Sequence, residues 1–254
     1  MERDDEVNRI ARRLAALSSS QIARIERLID TFGTPLDFEL AEHSDFADEA
    51  FAAMFGEALQ VHHLNSAEPF TKDKFEYTLV STLGSLGHSA RKLDRGNRGA
   101  DVVIDDVPWS LKTQANSTIS AEKITISKFM ELGKGKWEAE ADLYGLRDAM
   151  FEHMKEYERI FTLRSLMPND SVNHVYELVE IPKNLLLLSA NFPCVMNEGS
   201  TQTPKPGRCM VTDAGGNTLF HLYFDGGTER KLQIQHLAKS ACVVHATWRF
   251  STIG

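Results

Sequence analysis

Asp101 and Lys112 are the residues of this chain whose types and spacing suggest chemistry. They lie eleven positions apart in Gly-Ala-Asp-Val-Val-Ile-Asp-Asp-Val-Pro-Trp-Ser-Leu-Lys-Thr-Gln, residues 99–114, which otherwise reads as a buried β-hairpin. A charge brought near a core costs free energy unless something pairs with it. A carboxylate and an ammonium at one sheet edge suit displacement at phosphorus, where water attacks in line and negative charge builds on the phosphate and leaving oxygens. Hard divalent cations held by carboxylates offset that charge, and Mg²⁺ favours one or two carboxylates completed by waters and substrate oxygens. A lysine beside them orients or deprotonates the water.

The elements that must position these groups are legible around them. From Gly99 the pattern has period two: Val102 and Ile104 face one way, and Asp101, Val103 and Asp105 the other. After a turn over 105–108, Trp109, Leu111 and Thr113 alternate with Ser110, Lys112 and Gln114, so serine, lysine and glutamine share a face. Upstream, Thr71 caps a helix that follows Pro69, runs through Phe75, Leu79 and Leu83, and carries Glu76. The first third reads as helices: Val7, Ile10, Leu14 and Leu17 form one apolar stripe, Ser18 to Ser20 stop it and cap the next, Ile22 to Phe32 form a second ending at Gly33, and a third helix covers 46–59. Such stripes are ordinarily core. Downstream the pattern predicts a strand at 124–126, a helix over 141–157, and strands at 159–166, 175–181, 208–212, 219–224, 232–237 and 241–250, with a Gly-rich turn at 213–217 closing a hairpin. No repeat or low-complexity linker divides the chain. The expectation is one α/β domain over 1–254, with a helical N-terminal part (1–66), a catalytic core (67–166) and a mainly β C-terminal part (167–254).

The hairpin pattern resembles the PD-(D/E)XK nuclease superfamily, in which an aspartate is followed across a hairpin by an acid, any residue and a lysine. Asp101 matches the first position and Ser110-Leu111-Lys112 the second group, with serine where an acid is expected. Members lacking this acid often recruit one from the preceding helix, which points to Glu76; otherwise Glu76 is a surface helix residue. Gln114 resembles an extra polar residue kept there in some members, or is an outward strand residue. Blocks at 126–137, 153–164, 177–183, 203–207 and 223–237 also resemble, in order, the SmaI family of type II restriction endonucleases, a likeness extending from Phe46 to Phe250. The resemblance implies a mixed central sheet flanked by helices, additional C-terminal β-strands, and Mg²⁺-dependent hydrolysis of double-stranded DNA at a short GC-rich palindrome of the CCCGGG kind. It implies a homodimer, because a palindrome is most simply read by twofold-symmetric protein. Asp101, Glu76 and the Leu111 carbonyl would hold Mg²⁺, and Lys112 would handle the water. The serine leaves open a catalytically inactive DNA reader of the same fold.

The net charge of -8 argues against a general polyanion binder but does not exclude a local DNA surface. Arg95 and Arg98 belong to a basic run with Arg91 and Lys92, and Lys128, Lys134 and Lys205 are further phosphate candidates. A charge run can equally be a solvated face. Guanine presents acceptors that arginine and lysine match, so Arg208, Arg230, Lys231 and Gln233 are the base-reading candidates, Arg230 first. His62 and His63 are adjacent on a helix and point apart, which suits polar helix-end residues better than one ion. Asp105 and Asp106 could make a carboxylate dyad for another hydrolase, yet they sit where a turn favours aspartate. Gly133 to Gly135 lacks P-loop spacing and reads as a backbone clamp or a loop. Cys194, Cys209 and Cys242 make an odd count without metal spacing and are expected as reduced thiols. No apolar run is long enough to span a membrane and the first residues lack a signal block, so a cytoplasmic location is expected.

Overall fold

The computed structural model describes residues 2–252 apart from Arg95, Asn97, Arg98, Lys134 and Gly135. In chain order its elements are α1 (Glu2–Leu14), α2 (Ser19–Gly33), β1 (Leu36–Leu40), α3 (Glu49–His63), α4 (Lys72–Ser85), β2 (Ala90–Lys92), β3 (Val102–Ile104), β4 (Val107–Gln114), β5 (Lys123–Glu131) and α5 (Glu140–His153). There follow β6 (Arg159–Ser165), β7 (Asn173–Glu180), α6 (Lys183–Leu187), β8 (Cys194–Met196), β9 (Gly207–Thr212), β10 (Thr218–Asp225), β11 (Lys231–Ala238) and β12 (Val243–Ser251).

Seven strands form a mixed sheet in the order β1-β12-β7-β6-β4-β3-β2, and five form a second in the order β5-β11-β10-β9-β8. Within the larger sheet β4 and β6 run parallel, while the other neighbours are antiparallel. Strands from all three expected parts of the chain share it: β1, then β2, β3, β4 and β6, then β7 and β12. Helices α3 and α4 cover one face, where Phe51, Phe55, Phe75 and Leu79 meet Val102, Leu111, Phe161 and Trp248. The other face carries Ile160 and Val179 into a second core with Leu143 and Met150 of α5 and Leu222, Phe224, Leu232 and Ile234 of the smaller sheet. The larger sheet is thus a slab with a helical layer on one side and a helix plus a second sheet on the other, an arrangement in which each apolar face is buried.

Local chemistry explains the elements that matter. The hydroxyl of Thr71 accepts from Lys74 N and starts α4, as its spacing predicts. Asp105 and Asp106 both adopt positive φ, 48° and 65°, the conformation a two-residue hairpin turn requires, and Asp105 is tied to His88 Nδ1 and Ser89 N. They are the turn between β3 and β4, not a catalytic dyad. His62 and His63 lie at the end of α3 and bond different groups, Glu68 O for one and Ser66 O with Tyr176 Oη for the other.

Three expectations are corrected. Residues 36–40, read within a helical third, form β1, because Leu36, Phe38 and Leu40 alternate with Asp37 and Glu39 and the strand zips onto β12. The stripes of α1 and α2, read as core, remain open: Val7, Ile10, Ile29 and Phe32 are exposed. Cys194 and Cys209, expected as reduced thiols, are joined as a disulfide, because they face each other across the β8–β9 pair; Cys242 is free. Among the described residues no helix is long and apolar enough to cross a membrane.

Candidate functional site

The β3–β4 register fixes Asp101. The Asp101 N–H donates to Trp109 O at 2.8 Å, so the aspartate stands at the mouth of the hairpin beside Ser110 and Leu111. Gly99 lets the chain arrive there: it has a φ of +90°, and a Cβ at this position would lie 2.8 Å from the Glu156 Cβ and 3.1 Å from the Tyr157 ring. Asp101 Oδ2 accepts from Leu111 N at 2.6 Å and from Ser110 Oγ at 3.4 Å. In an extended strand the N–H and C=O of one residue point to the same edge, so the Leu111 carbonyl also looks toward the aspartate side.

Glu76 arrives from α4. Its carboxylate is nearly buried, and Lys72 joins it to the hairpin: Lys72 Nζ lies 2.6 Å from Asp101 Oδ1 and 3.7 Å from Glu76 Oε1. Two carboxylates within 4 Å of one ammonium nitrogen are gathered about a common point. The second Glu76 oxygen meets Lys92 Nζ of β2 at 2.6 Å, and Lys92 also reaches Asp73 at 3.2 Å. Glu76 is therefore buried and ion-paired beside Asp101, not a free surface glutamate.

Lys112 is buried, donates to Ser110 Oγ at 2.9 Å, and lies over the Phe129 ring at 5.7 Å. Burial first, and then the neighbouring Lys72 ammonium, hold its pKa at about 8 against the opposing pull of Asp101 and Glu76. A cleft of about 380 Å³ opens here, lined by Lys72, Lys112, Thr113 and the β5 residues from Ile126 to Met130, Lys128 among them. Lys128 also pairs with Glu131 at 2.7 Å.

Gln114 shares the lysine's strand face, but its Oε1 accepts from Arg164 Nε at 3.0 Å. Arg164 is fully buried. It also bonds Glu177 at 2.6 Å and the carbonyls of Ser120 and Lys123, so it links the end of β4 to the segment entering β5.

The base-reading candidates lie on the smaller sheet. Arg208, Tyr223 and Gln233 are cross-strand neighbours on β9, β10 and β11, on the face opposite the buried Cys209, Leu222 and Leu232. Gln233 donates to Asp225 at 3.1 Å and accepts from Gln235 at 2.8 Å, while Lys231 pairs in register with Asp225 and Glu131. Arg230 sits in the β10–β11 connection with φ 35°, and its carbonyl accepts from Leu132 N. Lys205 is set apart from the cleft residues, with its ammonium on Glu198 at 2.5 Å and its carbonyl accepting from Trp137 Nε1 at 2.6 Å. Arg95, Arg98 and Lys134 lie outside the described residues.

Residues 10–250 match the SmaI family, described as type II site-specific deoxyribonuclease. The chain belongs to that family. It is 44% identical over 207 residues to the type II restriction enzyme SmaI of Serratia marcescens, covering 81% of this chain and 82% of that enzyme. No solved structure matches it. The chain is thus a restriction endonuclease homologue that acts on double-stranded DNA, and Asp101, Glu76, Lys112 and the cleft beside them make up its candidate site.

Sequence reasoning missed two members of that site. Lys72 precedes Glu76 by one helical turn, the spacing that puts both on one face, and this was the available signal. Lys92 was visible only as part of a basic run, because its pairing with Glu76 depends on how β2 packs beside α4.

Proposed function

We propose that this nuclease is a Mg²⁺-dependent enzyme of the PD-(D/E)XK type that cuts a short GC-rich palindrome of the CCCGGG kind as a homodimer. The observation that carries the reading is the convergence of Asp101 and Glu76 on Lys72, which with Lys112 lines an open cleft. The donor set suits the ion: two hard carboxylates and the edge-facing Leu111 carbonyl match the few protein oxygens Mg²⁺ takes while keeping waters and substrate oxygens. When bound, the ion offsets charge developing on the phosphate.

The chain's own residues do the rest. Leu111 N and Ser110 Oγ fix the Asp101 carboxylate, and α4 fixes that of Glu76. Lys112 orients the water that attacks phosphorus, with Ser110 holding its ammonium. As the water forms its bond to phosphorus it gives up a proton to solvent, the P–O bond opposite breaks, and the leaving oxygen takes a proton from solvent. The Arg208, Tyr223 and Gln233 row, extended by Lys231 and Arg230, supplies donors for guanine's acceptor edge, and β5 connects that sheet to the cleft. Specificity of the CCCGGG kind is consistent with the relationship to the Serratia enzyme, and two copies would present two such surfaces to the two halves of a palindrome.

The test is digestion of plasmid DNA. The expected result is discrete fragments with Mg²⁺, none with chelator, and loss of cutting in Asp101→Asn with specific DNA binding retained. Unchanged cutting by Asp101→Asn, or cutting that survives removal of divalent ions, overturns the reading.

A further inference from the structure

We propose that Lys72 is a further catalytic residue, contacting the phosphodiester to be cut and supplying there the second positive charge. The inference rests on the Mg²⁺-dependent reading above and assigns a role to a side chain which that reading leaves idle.

Four observations carry it. Among the described residues, no group of three or more histidine, cysteine, aspartate and glutamate side chains is placed to hold a cation, and serine occupies the position of the third acid. The site therefore offers carboxylates for one divalent ion, while two oxygens, the attacking and the leaving one, pass through charged states. The balance has to come from the side chains. Lys72 also lines the same cleft as Lys112, and its side chain remains 41% exposed although it touches Asp101 and Glu76. Its ammonium therefore sits between the acid pair and the open cleft where DNA must lie.

Its placement on α4 is the third observation. Lys72 is the first residue of the helix, where the macrodipole disfavours a cation, so intrinsic helix stability does not account for a lysine here. Lastly, Lys92 provides the contrast. It also binds Glu76, but it reaches it from the edge strand β2, pairs with Asp73 as well, and is absent from the cleft lining. Lys92 neutralises Glu76 from behind, whereas Lys72 faces the substrate. A cation on Asp101 and Glu76 competes with Lys72 for the same oxygens, and the four-carbon stem lets the ammonium turn to the phosphate.

The experiment compares the wild type with Lys72→Met, Lys72→Gln and Lys72→Arg. Binding to a cognate duplex is measured across salt concentrations with Ca²⁺, alongside single-turnover cleavage with saturating Mg²⁺. Each lost phosphate contact lowers the slope of log K against log salt by about one. Lys72→Met and Lys72→Gln are expected to lose that increment and to cleave at least tenfold more slowly, and Lys72→Arg to restore the slope. A wild-type slope and rate in both neutral variants overturns the proposal and makes Lys72 a partner of the two carboxylates only. Two neutral variants guard against a folding defect in one, and matching thermal melts show that the fold is intact. A wild type that cuts nothing with Mg²⁺ overturns the reading beneath instead.

Discussion

Lys112 Nζ donates to Ser110 Oγ, two residues earlier on the same strand, and the same hydroxyl reaches Asp101 Oδ2. The serine in the acid position is therefore a neutral bridge between the lysine and the aspartate. Ser110→Ala removes the bridge and leaves a buried ammonium short of an acceptor, a loss on the order of 1–3 kcal/mol. Cleavage by this variant is expected to fall about tenfold with near-native DNA affinity, measured by single-turnover digestion beside a gel-shift titration; wild-type rates would contradict the role.

Gln114 is expected to act through Arg164. Arg164→Met leaves the Glu177 carboxylate with Lys239 and frees three loop carbonyls, and removing one partner of a buried pair costs about 3–5 kcal/mol. Gln114→Ala should cost about 1.5–3 kcal/mol, the scale of one hydrogen bond to a charged group. Urea unfolding checks both; a Gln114→Ala protein that is fully stable yet inactive would place the amide on the reacting groups instead.

His63 makes stability pH-dependent. Its ring stacks on His174 at 3.7 Å, and burial first, then the neighbouring His174 and His62, hold its pKa at about 3 against an ordinary 6.5. The folded state keeps this ring neutral, while the unfolded chain takes up a proton below 6.5. Its contribution is complete above about pH 6.5 and is lost progressively as pH falls toward 3, by up to about 1.4 kcal/mol per unit. Denaturation curves at pH 7.5 and 5.5 should show the drop, and His63→Gln should flatten it.

Arg208 is exposed on the polar face of the smaller sheet, in register with Tyr223 and Gln233. If this row reads bases, Arg208→Ala weakens binding to the cognate duplex by about 1–3 kcal/mol and binding to random DNA far less. Fluorescence anisotropy on the two duplexes separates the cases, since equal losses on both reassign the side chain to the backbone.

Much of the candidate site's scaffold was legible because its determinants are local. Thr71 as a cap, the 3.6-residue spacing around Glu76 and the Asp-Asp turn each act within a few residues, so α4 and the hairpin are readable from the chain alone. What was not legible depends on partners remote in sequence. Residues 36–40 become a strand because β12 supplies a ladder more than two hundred residues later, Cys194 meets Cys209 through the β8–β9 register, and Arg164 is buried because Glu177, Gln114 and loop carbonyls surround it. A guanidinium with those partners looks in sequence like any surface arginine.

The pairing of β1 with β12 also bears on the order in which parts of the chain can fold. Trp248 of β12 stacks on Phe55 at 5.0 Å and donates to Ala52 O at 2.7 Å, and so forms part of the floor on which α3, and beside it α4, rest. A nascent chain that has emerged from the ribosome only through β11 carries Asp101, Lys112 and Glu76 but not that floor, and β7 still has an open edge. Domains generally fold as units, and contacts of such separation close late. The helix that brings Glu76 to the hairpin is thus seated by a strand translated long after it, so the candidate site is expected to close only once β12 is in place.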